Sequence, residues 1–212
     1  MSPVANVSAF VKIPRERIGA LIGSDGRVKE KIEDEFSVDL SISSTTGDVS
    51  ILLKPTAQDP SVLFRAKEVI MAIGRGFSPD HAFRLLNEED AVLEVIDLRE
   101  VVGKSQSDQK RLKGRVIGKE GKTRRIIEEL TEANVSVYGH TISVIGDMDQ
   151  AEVARNAIWK LIKGGQHRTV YRFLHKKRQE LKKKKMQLWE TPPERLRAKY
   201  DTNTQDTNSR AD

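Results

Sequence analysis

The chain has no cysteine. That excludes disulfides, iron–sulfur clusters, cysteine nucleophiles and thiolate zinc sites. No apolar stretch approaches the roughly 18 residues of a membrane span. The opening Met1-Ser2-Pro3-Val4-Ala5-Asn6 lacks the basic and apolar regions of a secretory signal. These absences lead us to expect a cytoplasmic protein. Histidine is scarce, and His81, His140, His167 and His175 fall at no metal-ligand spacing. Each is read as an ordinary surface or helix residue, so no metal and no cofactor is expected. Carboxylates are plentiful but interleaved with Lys and Arg. Glu128, Glu129 and Glu132 are expected to face water, and no catalytic residue stands out.

What the chain has is basic charge, unevenly placed. There are 37 Lys and Arg against 31 Asp and Glu, a net charge of +6. Residues 1–76 and 89–166 are each balanced, and residues 77–88 and 186–212 are slightly acidic. Residues 167–185 hold nine basic residues and one acidic, which accounts for the whole excess. A second concentration lies inside a balanced segment, where residues 99–125 hold ten basic residues and three acidic. Two such clusters point to a polyanionic partner. Solvated helix faces are the competing reading for a lone Lys run.

The chain also repeats itself. Ile18-Gly-Ala-Leu-Ile-Gly-Ser-Asp-Gly-Arg-Val-Lys-Glu-Lys-Ile32 aligns with Lys113-Gly-Arg-Val-Ile-Gly-Lys-Glu-Gly-Lys-Thr-Arg-Arg-Ile-Ile127, at an offset of 95 residues. That period is too long for a solenoid and suits two related domains. In the first copy Val7, Ala9 and Val11 alternate as a strand. A helix covers about 15–22, Gly23 and Gly26 follow, and a second helix carries Val28, Ile32 and Phe36. Val38, Leu40 and Ile42 form a strand, as do Val49, Ile51 and Leu53. A last helix starts at Asp59-Pro60. The second copy matches: a strand over 92–98, a helix into Gly118 and Gly121, and a helix with Ile126, Ile127 and Leu130. Strands at Val135/Val137 and Ile142/Val144 follow, then a helix opened by the capping pair Asp147 and Gln150. The order is βααββα, twice.

Ser78-Pro79 opens a short helix in the segment between the copies. After the second copy, residues 168–188 lack glycine and proline, and Leu174, Leu181 and Leu188 fall seven apart. This reads as a basic helix docked along a narrow apolar stripe, with Tyr171, Phe173 and Leu174 as anchors. Stacking of Tyr171 on a base is the alternative. Trp159 is expected in the core, and Trp189 is expected to pack back or to meet a partner. Thr191, Pro192 and Glu194 resemble another helix start, and residues 201–212 read as disordered.

Each copy centres on a G-x-x-G turn between two helices. Glycine admits backbone angles that a Cβ forbids and lets a ligand approach the main chain. The helix that follows offers unpaired N–H groups at its positive end. Near the second turn Lys113, Arg115, Lys119, Lys122, Arg124 and Arg125 supply charge. Val116, Ile117, Val135 and Val137 are candidates for an apolar floor beside it. Phosphates held by a turn, with bases over an apolar groove, are the physics of the KH module, whose GXXG loop clamps about four nucleotides. The candidate RNA site is therefore Gly118, Lys119, Glu120, Gly121, Lys122, Arg124, Arg125, Lys113 and Arg115, with Ile117 and Val137 for the bases. The first copy, Gly23, Ser24, Asp25, Gly26 and Arg27, is less basic and reads as a weak RNA site or a docking surface. Arg168, Arg172, Lys176, Lys177 and Arg178 on the basic helix add nonspecific attraction. Gly121-Lys122-Thr123 imitates the end of a phosphate-binding P-loop, but that motif needs glycine where Val116 stands.

Three segments carry a resemblance to a known family. They are Leu112-Lys-Gly-Arg-Val-Ile-Gly-Lys-Glu-Gly-Lys-Thr-Arg124, Ala72-Ile-Gly-Arg-Gly-Phe-Ser-Pro-Asp-His-Ala-Phe-Arg-Leu-Leu86, and Gly164-Gly-Gln-His-Arg-Thr-Val-Tyr-Arg-Phe-Leu174. Over about residues 6–189 the chain resembles archaeal members of the Partner-of-Nob (Krr-like) proteins, two-KH-domain factors of small ribosomal subunit assembly. The resemblance implies single-stranded small-subunit rRNA near its 3′ end as ligand, a role in pre-rRNA maturation, and no catalysis. It also implies as partners the Nob endonuclease and the alpha subunit of translation initiation factor two. In that family the second domain is the better RNA binder.

The expected architecture is α+β, with two tandem type I KH domains. Each has a three-stranded antiparallel sheet backed by three helices, and a basic C-terminal helix follows. The boundaries are 1–76, a linker helix over 77–88, 89–166, an extension over 167–200, and a tail over 201–212. The copies are expected to pack as one unit through the linker and the basic helix. A general KH-domain RNA binder in RNA decay or regulation, and a scaffold for an acidic protein partner, are the alternatives.

Overall fold

The structure is a computed structural model describing residues 7–57 and 59–190. The expectations for 191–194 and 201–212, and for the side chain of Trp189, lie outside the described residues. One compact unit runs to Leu174 and a second begins at His175.

The first half starts with β1 (Ser8–Lys12), whose alternation turns Ala9 and Val11 inward and leaves Ser8, Phe10 and Lys12 exposed. A 3₁₀ turn at Arg15–Arg17 leads into α1 (Ile18–Ile22), which buries Ile18 and Leu21 and stops at Gly23. α2 (Arg27–Glu35) buries Ile32. β2 (Val38–Ile42) and β3 (Asp48–Leu53) complete an antiparallel sheet of order β1-β3-β2. α3 (Val62–Gly74) covers that sheet with Leu63, Ala66, Val69, Ile70 and Ile73. It begins later than Asp59-Pro60 suggested, because the Asp59 carboxylate takes the Ser61 N–H at 2.8 Å.

The second half repeats this order. β4 (Ala91–Asp97), β5 (Asn134–Tyr138) and β6 (Thr141–Asp147) form a sheet of order β4-β6-β5. α7 (Gln106–Ile117), α8 (Lys122–Thr131) and α9 (Met148–Ile162) are its main helices. The capping box forms: Gln150 N–H donates to Asp147 at 2.8 Å, and Asp147 N–H donates to the Gln150 side chain at 3.3 Å. An additional short helix, α6 (Leu98–Val102), precedes α7. The strand expected over 92–98 ends one residue earlier, because the Asp97 carboxylate accepts the Arg99 N–H at 2.8 Å and so caps this helix.

The linker is structured, as its Ser-Pro opening indicated. α4 (Pro79–Ala82) is capped by Ser78, whose hydroxyl accepts the His81 N–H, and α5 (Arg84–Asn87) follows. Phe77, Phe83 and Leu85 are buried in one cluster with the first-half core and with Ile145 of β6. Arg84 joins the halves, donating to the Glu132 carbonyl and the Gln150 side chain, each at 2.7 Å. Ser136 donates to the Arg75 carbonyl at 2.9 Å, and the Tyr138 hydroxyl donates to Glu16. α10 (His167–Glu190) follows α9. Its first two turns bury Val170 and Leu174 within the first unit, roughly 1.5–3 kcal/mol apiece. Trp159 is only half-buried, with Lys163 Nζ 6.0 Å from its ring centre, so it is no core residue. Its place on α9 faces the boundary with solvent.

Candidate nucleic-acid interface

α7 ends at Gly118, whose N–H closes the helix on the Gly114 carbonyl at 2.8 Å. Gly118 has φ 73° and ψ 178°, Glu120 has φ 53° and ψ 29°, and Gly121 has φ 75° and ψ 10°. The first turn has nearly the same backbone: Gly23 at 75° and 178°, Asp25 at 54° and 24°, and Gly26 at 83° and −1°. The two glycines of a turn are needed for different reasons. A Cβ on Gly118 would stand 2.2 Å from Thr123 Oγ1 and 2.9 Å from Thr123 N. A Cβ on Gly121 would meet nothing within 4 Å, so there only the positive φ disfavours a side chain.

No side chain caps the N–H groups at the start of α8, the positive end of the helix dipole, and the first of them, on Lys122, donates to the Lys119 carbonyl. Lys119 and Lys122 flank them, exposed and without an ion-pair partner among the described residues. Arg124 is exposed but lies 3.7 Å from Glu128. Arg125 Nη2 donates to the Glu120 carbonyl at 2.8 Å, which buttresses the turn. Lys113 Nζ donates to the Gly139 carbonyl at 2.9 Å, bringing the β5–β6 turn beside α7.

Several sequence assignments need revision. Arg115 donates to the carbonyls of Leu161 at 3.0 Å and Gly165 at 2.7 Å, and its own carbonyl accepts from His167 Nε2 at 3.0 Å. It closes the C-terminal end of α9, where carbonyls attract a cation, rather than reaching toward the turn. Of the expected apolar floor, Val116 and Val135 are buried core residues, while Ile117 and Val137 are half-buried. Glu128 does not simply face water, because its carboxylate accepts the Val135 N–H at 2.9 Å. Tyr171 is an anchor: its hydroxyl lies 3.0 Å from the buried Thr123 Oγ1.

Thr123 was missed, although the sequence carried a signal. Its counterpart in the first turn is the half-buried Val28, and a hydroxyl in place of an apolar methyl calls for a partner. Arg84 gave no such signal, since its partners lie far along the chain.

In the first turn Ser24 and Asp25 are exposed, and Arg27 lies 3.9 Å from Asp25, so charge there is partly cancelled. On α10 the residues Arg168 and Arg172 are exposed within the first unit. Lys176, Lys177 and Arg178 belong to the second unit, where Lys177 pairs with Glu180 at 2.6 Å. Among the described residues no group of three metal-ligating side chains occurs, and no helix is long and apolar enough to cross a membrane. Burial is the main cause that lowers the His140 pKa, against a nearby Asp97 that raises it.

A family model described as a eukaryotic-type KH domain, KH type I, matches residues 92–179. With the βααββα order around the glycine turn, this defines a KH-domain protein. A KH domain-containing protein of Methanocaldococcus jannaschii is 44% identical over 180 residues, covering 85% of this chain and 78% of that one. The crystal structure of Dim2p from Pyrococcus horikoshii is 44% identical, with TM-score 0.73, and the match covers 80% of this chain and 99% of that one. A complex of a/eIF2alpha, aDim2p and rRNA from the same organism contains a chain 42% identical, with TM-score 0.77, covering 84% and 97%. The pre-rRNA-processing protein PNO1 of Candida glabrata is 27% identical, and the match covers 77% of this chain but 63% of that longer one. The chain belongs to the Pno1/Dim2-like family of KH-domain proteins.

Proposed function

We propose that this chain is an RNA-binding ribosome biogenesis factor that holds single-stranded small-subunit rRNA near its 3′ end, without catalysis of its own. The observation that carries the reading is the second turn. There the start of α8, which no side chain caps, and the exposed Lys119 and Lys122, without an ion-pair partner among the described residues, meet at one glycine-shaped corner. Four phosphate-sized anions in sequence are what such a corner accommodates. Lys113, Arg124 and Arg125 line its approach, and Ile117 and Val137 are the half-buried surfaces left for bases. Arg115 is omitted because its guanidinium is engaged elsewhere.

The name of the Pyrococcus complex, which joins rRNA and a/eIF2alpha to a relative 42% identical to this chain, supports the choice of RNA and of that subunit as partner. The Nob endonuclease as partner rests on family resemblance, and a cytoplasmic location on the sequence expectation alone. We read residues 1–76 and 89–166 as tandem KH domains on the ground of their matching backbone turns and sheet orders. The same match favours a second, weaker RNA contact at Gly23–Gly26. The extension over 167–200 adds basic charge.

A salt-dependent titration tests the reading. The RNA is a short strand from the 3′ end of small-subunit rRNA, beside a scrambled control. If about four phosphates are held, the log–log salt slope is about −3, at roughly −0.7 per phosphate. A Lys119→Asp, Glu120→Asp double variant keeps the glycines but makes the turn acidic, and it should lose the preference for the true sequence. Equal binding of both RNAs by both proteins would move the affinity to the basic helix and refute the assignment.

A further inference from the structure

The first sheet has an open edge on the side of β1. The Val7 carbonyl accepts the Leu53 N–H and the Ile13 N–H donates to the Gly47 carbonyl, so the odd-numbered residues of β1 face β3. By the alternation of an antiparallel ladder, the N–H and C=O groups of Ser8, Phe10 and Lys12 point away from the sheet. No described residue pairs with them. Beside this edge runs a groove of about 230 Å³ between β1 and α3. Phe10, Lys12, Pro14, Lys67, Met71 and Arg75 line it. Phe10 is 71% exposed, and Leu52, diagonal to it across the strand pair, is 36% exposed. Phe64, one turn before Lys67 and Glu68 on α3, is 68% exposed.

An unpaired, apolar edge is a hazard that soluble proteins normally blunt. Here no described residue covers it, and it lies beside a pocket with three cationic side chains and no acidic lining residue; Lys12 also lies 3.7 Å from the exposed Asp48. We propose that this edge is a docking site for a protein partner, which adds an extended segment with alternating apolar and acidic residues as a fourth strand. The main-chain groups of Ser8, Phe10 and Lys12 supply the ladder. Met71 and Phe10 take an apolar side chain, and Lys67 and Arg75 select acidic ones.

A second copy of this chain fits less well, because two-fold pairing along β1 sets two basic rims against each other. RNA fits less well too, since the edge presents carbonyls as often as N–H groups, and carbonyls repel phosphate. The site is separate from the glycine turn, and it stands whether or not that turn binds RNA.

The test is amide NMR of the full-length protein. The probe is a ten-residue peptide alternating Val and Glu, beside the same peptide with Lys for Glu and a short oligoribonucleotide. Saturable shifts and slowed exchange at Ser8, Phe10 and Lys12 with the acidic peptide alone are expected. Two variants sharpen it. Phe10→Pro removes an outward N–H that the sheet does not use, and Lys67→Glu reverses the selecting charge. Each should weaken the peptide about tenfold, while amides of the second half stay in place. The proposal is overturned if β1 amides ignore the acidic peptide, or if the basic peptide binds as well. It is also overturned if only the oligoribonucleotide moves them, or if they shift with protein concentration alone, which would mark the edge as a self-association surface.

Discussion

The two glycines of the second turn should respond very differently to alanine. At Gly118 the pair φ 73°, ψ 178° lies in a region open essentially only to glycine, which costs a side chain of order 1–3 kcal/mol. The new Cβ would also overlap Thr123 Oγ1 at 2.2 Å, Thr123 Cβ at 2.8 Å and Thr123 N at 2.9 Å. Relieving such overlap costs a further 1–3 kcal/mol or so. Alanine recovers about 0.4–1 kcal/mol by restricting the unfolded chain. The net loss for Gly118→Ala is therefore about 3 kcal/mol. Gly121→Ala pays only the left-handed penalty of about 1–2 kcal/mol, less the same recovery, for a net of about 1 kcal/mol. Thermal unfolding of the full chain reads the difference. At about 2–4 °C per kcal/mol for a unit of this size, Gly118→Ala lowers Tm by about 6–12 °C and Gly121→Ala by about 2–4 °C. Gly23→Ala should follow Gly118→Ala, because its Cβ would meet Val28 Cγ2 at 2.4 Å. Equal shifts for Gly118 and Gly121, or a neutral Gly118→Ala, would refute the reasoning.

Arg84→Ala removes charged hydrogen bonds to Glu132 and Gln150, and denaturant unfolding should show a loss of about 2–4 kcal/mol. Arg84→Lys should not restore it, because an ammonium cannot reach both partners at once. Leu174→Ala, at a fully buried site, should cost about 2–4 kcal/mol by the same measurement. The Tyr138 hydroxyl has its pKa pushed up to about 12, first by burial and then by its hydrogen bond to Glu16. A raised pKa in the folded state means stability held below pH 10 and lost as pH rises toward 12. Spectroscopic titration of phenolate should show a step near pH 12 that Tyr138→Phe abolishes.

Much of this molecule was legible in its sequence, and for a common reason. Strand alternation in Val38-Asp-Leu-Ser-Ile42, the Ser78-Pro79 helix start, the Asp147/Gln150 capping box and both glycine turns are encoded within a few residues. Their hydrogen bonds close locally, so residue type and spacing suffice. The 95-residue offset exposed a repeated sequence pattern, and the two turns share their backbone angles. Tertiary structure alone decided what long side chains reach. Arg115 and Lys122 look alike in sequence beside one turn, yet Arg115 closes α9 while Lys122 stays exposed. Nor does sequence place Arg84 on the second half or Tyr138 on Glu16. A guanidinium or hydroxyl bonds whatever acceptor packing brings within about 3 Å, and which acceptor that is depends on how the two sheets and the linker close around a shared core.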